Sequence, residues 1–278
     1  MKPKNVPILS NKGLQEIQNA LKLRKTSVLD ISLDLNISQS TIKILPSSKQ
    51  FILPSGEVVD FPSTFKEKTR ICYAIEKNQI FPLRLFSEKM NFYYKLVPTS
   101  NRPILTVSAT PFHKKTFLDY IERSKLKGNV LDGGTGLGYS AIIASKTADK
   151  VMTVEWDSNI LLMGTYNPYS SELFTTDKIQ IIEDDITEYV SKCENNLFDN
   201  LIQDGGMPKS SGTFFSSNYA SELYRVLKHK GKLVFYLPQH GKTKGRDFGA
   251  EQIRRLVNSG FKVLERNIEG SFALLKKY

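Results

Sequence analysis

In the stretch "VLDGGTGLGYSA", Val130 to Ala141, an aspartate and four glycines crowd the end of a short apolar run. Glycines in such a place let the backbone approach a ligand that a Cβ would hold away. Three spacings compete for the chemistry. G-x-G-x-x-G counted from Gly134 would put Tyr139 where a small residue must pack helix onto strand, which argues against a dinucleotide fingerprint. Gly133 and Gly138 satisfy the phosphate-loop spacing, but Tyr139 occupies the place of the lysine that would hold a triphosphate. D-x-G-x-G-x-G is complete in Asp132, Gly134, Gly136 and Gly138.

Acids recur at the ends of the following apolar runs. Glu155 closes "VMTVE", Asp184 and Asp185 close "IQIIEDD", and Asp204 closes "FDNLIQD". Further on, the loop "PQHGKTKGRDFG" carries His240, Lys242, Lys244 and Arg246, a set able to grip a phosphate or carboxylate. Two scattered cysteines and three scattered histidines match no metal-ligand spacing, so no metal is expected.

The elements that must position these residues alternate. A helix is expected over Thr110 to Lys125, with Phe112, Phe117 and Ile121 on one face, and then "NVLDGG" as a strand. A helix from Tyr139, the strand "KVMTVEW", a helix from Ser158 to Tyr166 and the strand "KIQIIEDD" follow. Helices near Ile186 to Lys192, Phe215 to Lys228 and Phe248 to Ser259 separate the strands "FDNLIQDGG", "GKLVFYLPQ" and "FKVLERNI". Such alternation predicts a parallel sheet with helices on both faces. "FKVLERNI" and "SFALLKKY" are separated only by Glu269 and Gly270, so they must form a hairpin and one end of the sheet is antiparallel.

Residues 1–105 read differently. A short helix, Leu14 to Leu23, precedes β-rich runs broken by Pro-Ser and Ser-Gly turns, with a hairpin around Lys77 and Asn78. "SLDLNISQSTIKI" resembles a DNA-reading helix-turn-helix, but its apolar residues keep a period of two and Pro46 leaves no room for a recognition helix. The expected organisation is a small basic β-rich domain, 1–105, and an α/β domain, 106–278. The first holds 16 Lys and Arg against 8 Asp and Glu, the second 23 against 20, within a net charge of +11. That excess suggests a polyanion such as RNA as partner, against the alternative of an ordinary solvated surface. Nothing reads as a membrane span, and the proline-broken start "MKPKNVPILSNKG" is unlike a secretory signal, so a cytoplasmic protein is expected.

On Asp132, Gly134, Gly136, Gly138 and Glu155, 23 positions on, the sequence resembles the class I S-adenosylmethionine-dependent methyltransferases. The resemblance implies a Rossmann-like seven-stranded sheet with an antiparallel last strand. It implies that the loop Gly133, Gly134, Thr135, Gly136, Gly138 passes the cofactor's amino-acid tail, with Asp132 holding the ammonium directly or through water. Glu155 would take both ribose hydroxyls, a cis-diol suiting a bidentate acceptor. Trp156 would cover the adenine edge or serve the core. Asp185, with Asp184 as fallback and Ile186 through its backbone, would meet the adenine. Asp204 lies where cofactor and acceptor converge and is the candidate general base, its alternative role being to cap the next turn. His240, Lys242, Lys244 and Arg246 are candidate substrate ligands.

The order of "KLVPTS", "TPFHK", "DGGTGLGYSA", "VEWDSNILLMGTYNPYS" and "LYRVLKHKGKLVFY" further resembles a group of predicted archaeal methyltransferases. That group often carries Asp-Pro-Pro after the fourth strand; here the run is Asp204-Gly205-Gly206-Met207-Pro208, which speaks against methylation of a base nitrogen. Methyl transfer to RNA, a small molecule or a protein is the expected function. The alternatives are an aminopropyltransferase using decarboxylated S-adenosylmethionine, and a non-catalytic RNA-binding module on a methyltransferase scaffold.

Overall fold

The computed structural model describes all residues except 66–67, 108–109, 112–114, 206–211 and 238–246. The chain divides into two compact units, Met1–Phe112 with Leu162–Ser171, and His113–Leu161 with Glu172–Tyr278. Position 105, the boundary expected from composition, falls inside a strand, Ile104–Val107, whose ladder continues to Thr110–Pro111.

In the first unit β1 (Ile8–Ser10), α1 (Asn11–Lys22), β2 (Ser27–Ile31), β3 (Ser40–Leu45), β4 (Gln50–Ile52) and β5 (Val58–Asp60) come first. They are followed by β6 (Cys72–Glu76), β7 (Gln79–Pro82), β8 (Arg84–Ser87), β9 (Phe92–Val97), β10 (Ile104–Val107) and β11 (Thr110–Pro111). These strands form three small sheets, ordered β1-β6-β7, β2-β3-β4-β5 and β11-β10-β9-β8. The last residues of the helix-turn-helix look-alike, Ser40 to Ile44, lie in β3, antiparallel to β2, and Ile42 and Ile44 point from it into a core with Leu14 and Ile17 of α1. Ser10 starts α1 by accepting the Gly13 N–H at 3.0 Å. The β6–β7 hairpin turns through Lys77 and Asn78, both at positive φ (53° and 63°), the geometry whose twist suits a two-residue hairpin.

The short segment Leu162–Ser171 is held within this unit. The Lys4 amide donates to the Thr165 carbonyl (2.7 Å), and the Lys4 ammonium donates to Glu76 (3.1 Å) and to the Tyr166 hydroxyl (2.7 Å). "NPYS" ends a helix as its proline requires, with Asn167 accepting the Tyr169 N–H.

The second unit contains α2 (Lys115–Ser124), β12 (Asn129–Gly133), α3 (Tyr139–Ser145), β13 (Lys150–Glu155) and the start of α4 (Ser158–Tyr166). Then come α5 (Ser171–Thr175), β14 (Ile179–Glu183), α6 (Ile186–Lys192), β15 (Phe198–Gln203), α7 (Ser217–Val226), β16 (Leu227–Tyr236), α8 (Phe248–Asn258), β17 (Lys262–Asn267) and β18 (Phe272–Lys276). The helix expected from Thr110 begins at Lys115, because Thr110 and Pro111 are taken by the β10 ladder.

Seven strands lie in the order β14-β13-β12-β15-β16-β18-β17. All neighbours are parallel except those of β18, which runs against both β16 and β17. The antiparallel strand is therefore last in sequence but lies one place in from the sheet's edge. Successive residues point to opposite faces, and both faces are covered. Val130, Val151, Ile202 and Val234 pack with Phe117 and Ile121 of α2 and Ala141 and Ala144 of α3. Leu131, Val154, Leu201, Leu233 and Phe235 pack with Val190 of α6, Leu223 of α7 and Leu256 of α8.

Candidate functional site

Strand order reverses beside β12, which has β13 on one side and β15 on the other. Crossovers there leave in opposite directions, and the crevice outside the strands' carboxyl ends is where open α/β sheets bind ligands. The glycine loop from Gly133 to Gly138 starts at that point. Its first turn is held by the Gly134 and Thr135 amides, which both donate to the Val154 carbonyl (3.0 and 3.2 Å). Gly134 has φ of 95°, and a Cβ on it would lie 2.7 Å from the Gly205 Cα beyond β15. Gly138 opens α3 with φ of 78°. Gly134→Ala is accordingly expected to cost roughly 1–3 kcal/mol from the disfavoured φ and the backbone clash. A lowered denaturation midpoint checks this, and a wild-type midpoint would contradict it.

Two buried carboxylates end adjacent strands. Asp132 is wholly buried, and its Oδ2 accepts from the hydroxyls of Ser140 (3.0 Å) and Thr153 (2.8 Å). The Thr135 hydroxyl in turn lies 2.7 Å from that of Thr153. Asp132 Oδ1 has no partner among the described residues. Burial, opposed by the two hydroxyl hydrogen bonds, pushes the Asp132 carboxyl up to about 7. Glu155 is nearly as deep and accepts one backbone N–H on each oxygen, Gly136 at 3.0 Å and Asp157 at 3.1 Å. Burial raises its pKa too, and the two N–H bonds oppose the shift. The acid at the second strand's end is thus tied to the glycine loop itself.

The remaining sequence candidates separate. Trp156 is 42% exposed and so does not serve the core. Asp185 is the N-cap of α6, its Oδ1 taking the Thr187 N–H (2.7 Å) and hydroxyl (2.6 Å), and Ile186 is the first residue of that helix. Asp184 stands nearer the strand ends, its amide donating to the Glu155 carbonyl (3.1 Å) and its carboxylate pairing with Lys192 at 3.2 Å. Asp185, which the sequence favours as the adenine acid, caps α6, and Asp184, the fallback, also accepts the Asp185 N–H at 2.8 Å. The Asp204 amide donates to the Gly133 carbonyl (3.0 Å), fixing that residue beside the loop. His240, Lys242, Lys244, Arg246, Met207 and Pro208 lie outside the described residues.

Four side chains escaped the sequence reading. Ser140 and Thr153 hold Asp132; the signals were a hydroxyl in the first turn of α3 and the lone polar residue inside "VMTVE" ahead of its acid. Gln203, last in β15, accepts the Tyr219 hydroxyl proton at 2.5 Å. Tyr236 ends β16 near Asp204, and burial together with the Asp204 charge raises its pKa.

No protein-family model matches the chain. Its fold, a Rossmann-like α/β sheet accompanied by β-rich sheets, is that of the spermidine synthases. Thermotoga maritima spermidine synthase superposes with a TM-score of 0.54 at 15% identity, over 76% of each chain. A spermidine synthase in complex with the transition-state analogue AdoDATO gives 0.56 at 16% identity, again over 76% of each chain. In sequence the chain is 30% identical over 271 residues to the uncharacterized protein MJ1233 of Methanocaldococcus jannaschii, spanning 93% of this chain and 91% of that one. It belongs to the family of MJ1233. A polyamine aminopropyltransferase of Thermoplasma volcanium is 30% identical over 118 residues, 40% of this chain and 42% of that enzyme.

Proposed function

We propose that the chain binds S-adenosylmethionine along the carboxyl ends of β12, β13 and β14 and transfers its methyl group to an acceptor, with RNA ahead of a small molecule or protein. The observation that carries this reading is the Asp132–Glu155 pair at the glycine loop. Asp132 keeps one carboxylate oxygen without a partner among the described residues, suited to the ammonium of the amino-acid tail. Glu155 is an acceptor-only group held in place by two N–H bonds, suited to a ribose cis-diol.

When bound, the cofactor's sulfonium would supply the leaving group, the acceptor's lone pair forming the new bond to the methyl carbon while the carbon–sulfur pair stays on sulfur. The protein's share is then to hold cofactor and acceptor in line at about 3 Å and to keep water out. Asp204, beside the loop and near Tyr236, receives the acceptor's proton where one must leave. The exposed Trp156, the chain's only tryptophan, follows Glu155 directly and covers the adenine edge. Its emission is expected to change on cofactor addition with the same midpoint as the calorimetric titration. Emission that stays flat through saturation would remove Trp156 from the site.

Aminopropyl transfer from decarboxylated S-adenosylmethionine is the second reading. It is favoured by the aminopropyltransferase relative and by the spermidine synthase fold. It needs acids around a cationic amine, whereas the sequence after β16 offers His240, Lys242, Lys244 and Arg246. Parallel calorimetric titration with S-adenosylmethionine, its decarboxylated form and NAD tests both readings. Preference for the intact cofactor supports methyl transfer, preference for the decarboxylated form supports aminopropyl transfer, and binding of neither overturns both.

A further inference from the structure

At the end of the sheet away from the glycine loop, lysines from three adjacent strands stand in one row. Lys232 of β16 is paired in register with Lys276 of β18, and Lys276 with Lys262 of β17. Directly paired residues share a face, so three ammonium groups project from the α2 side of the sheet with strands about 4.8 Å apart. Lys232 and Lys262 are exposed and Lys276 is half-buried. Like charges directly opposite each other destabilise a sheet, and here the arrangement occurs twice in succession. Among the described residues none of the three forms an ion pair. Instead the Lys262 and Lys276 ammonium groups lie 5.1 and 4.8 Å from the Tyr278 ring centroid, which gathers the two heads together.

The row continues at one end. Asn200 of β15 is in register with Lys232, and its side-chain amide donates to the carbonyl of the exposed Lys127 at 2.9 Å. One register step along the same face stands Glu265, which accepts from Asn267 Nδ2 at 3.4 Å. The surface is therefore a band of three lysines in a row across β16, β18 and β17, continued by the neutral Asn200 on β15 and flanked by Glu265, and built at a cost in repulsion. From Lys232 to Tyr236, whose end of β16 faces Asp204, the strand rises by about 13 Å, so the band is separate from the proposed transfer site.

We propose that this band binds the phosphate backbone of a single-stranded polynucleotide. A strand's phosphates are a linear array of negative charge, and lysine contacts to them gain free energy by releasing counterions. The band goes beyond the methyl-transfer reading and does not depend on it.

The test is fluorescence anisotropy of a labelled single-stranded RNA 20-mer, titrated with the full chain over a range of salt, with DNA of the same sequence as a second arm. Each single-strand phosphate contact contributes about 0.7 to the slope of log affinity against log salt. K232Q/K262Q/K276Q should flatten the slope by about 2 and weaken binding about a hundredfold at 0.1 M salt, while K276Q alone should weaken it about fivefold. Because repulsion is relieved, neither variant should melt below wild type. S-adenosylmethionine affinity should be unchanged in both. Unchanged slope and affinity in the folded variants would overturn the proposal, as would binding of anionic lipid vesicles without binding of RNA or DNA. A protein that binds the 20-mer through these lysines but takes up no sulfonium compound would leave the band standing and remove the methyl-transfer reading.

Discussion

Asp132→Asn is expected to do opposite things to stability and to cofactor binding, and to do both as a function of pH. The wild-type carboxyl is raised by burial to about 7 from an ordinary 3.8. For an acid raised in the folded state, stability is fully present below the ordinary pKa and is lost as pH rises through the folded one. The loss between pH 4 and 8 amounts to roughly 4 kcal/mol at about 1.4 kcal/mol per unit. Asparagine removes that slope, but its amide N–H lies where Asp132 Oδ1 has no partner among the described residues, which costs about 1–3 kcal/mol. The unliganded variant should therefore exceed wild type by roughly 1–3 kcal/mol at pH 8, and the advantage should vanish near pH 5. Cofactor affinity runs the other way. An ammonium requires the ionised carboxylate, so wild-type affinity should fall about tenfold per pH unit below 7, and the variant's should be low and flat. Denaturant unfolding at pH 5 and 8, with calorimetry between pH 5.5 and 7.5, reads both. Parallel pH profiles for variant and wild type would show that Asp132 does not titrate against the ligand.

Glu155→Ala should lower affinity for the adenosyl cofactor by a factor of about 10 to 100 or more, since hydrogen bonds to a charged group contribute about 1.5–3 kcal/mol. Glu155→Gln is the sharper experiment. Both carboxylate oxygens already receive a backbone N–H, from Gly136 and Asp157. A glutamine must turn its own NH2 toward one of those donors, so near-isosteric Gln should be about as damaging as Ala. If Gln binds like wild type, Glu155 is not the acceptor this geometry makes it.

Much of the second unit was legible because its signals are local. The helices Ser158–Tyr166 and Ile186–Lys192 each follow an aspartate that accepts N–H groups of the first turn, and the hairpin of β17 and β18 follows from a connection too short for a crossover. Asp132 and Glu155 were legible because a parallel strand delivers its last residues to the same edge every time. What escaped was decided by neighbours distant in the chain. Thr153 reads as an ordinary strand residue until β13 is placed beside β12, where its hydroxyl meets Asp132. Asp184 and Asp185 are adjacent and chemically identical, and only the start of α6 assigns one of them to capping. The docking of Leu162–Ser171 with the first unit rests on Lys4 and Glu76, far away in sequence, and no pattern within "LMGTYNPYSS" announces it.

That docked segment bears on how the protein can be taken apart. The polypeptide changes unit at 112/113, 161/162 and 171/172, so neither unit is a contiguous fragment. A gene cut at any single point cannot yield both halves whole. Deleting the first 112 residues would strip Thr165, Tyr166 and Tyr169 of partners contributed by Lys4, Glu76 and Leu35. The damage would fall on α4 and the turn after it, and only Trp156 and Asp157 separate that helix from Glu155. During synthesis the β-rich sheets must wait for residues 162–171 to leave the ribosome before their unit is complete, and by then the strand carrying Glu155 has already emerged.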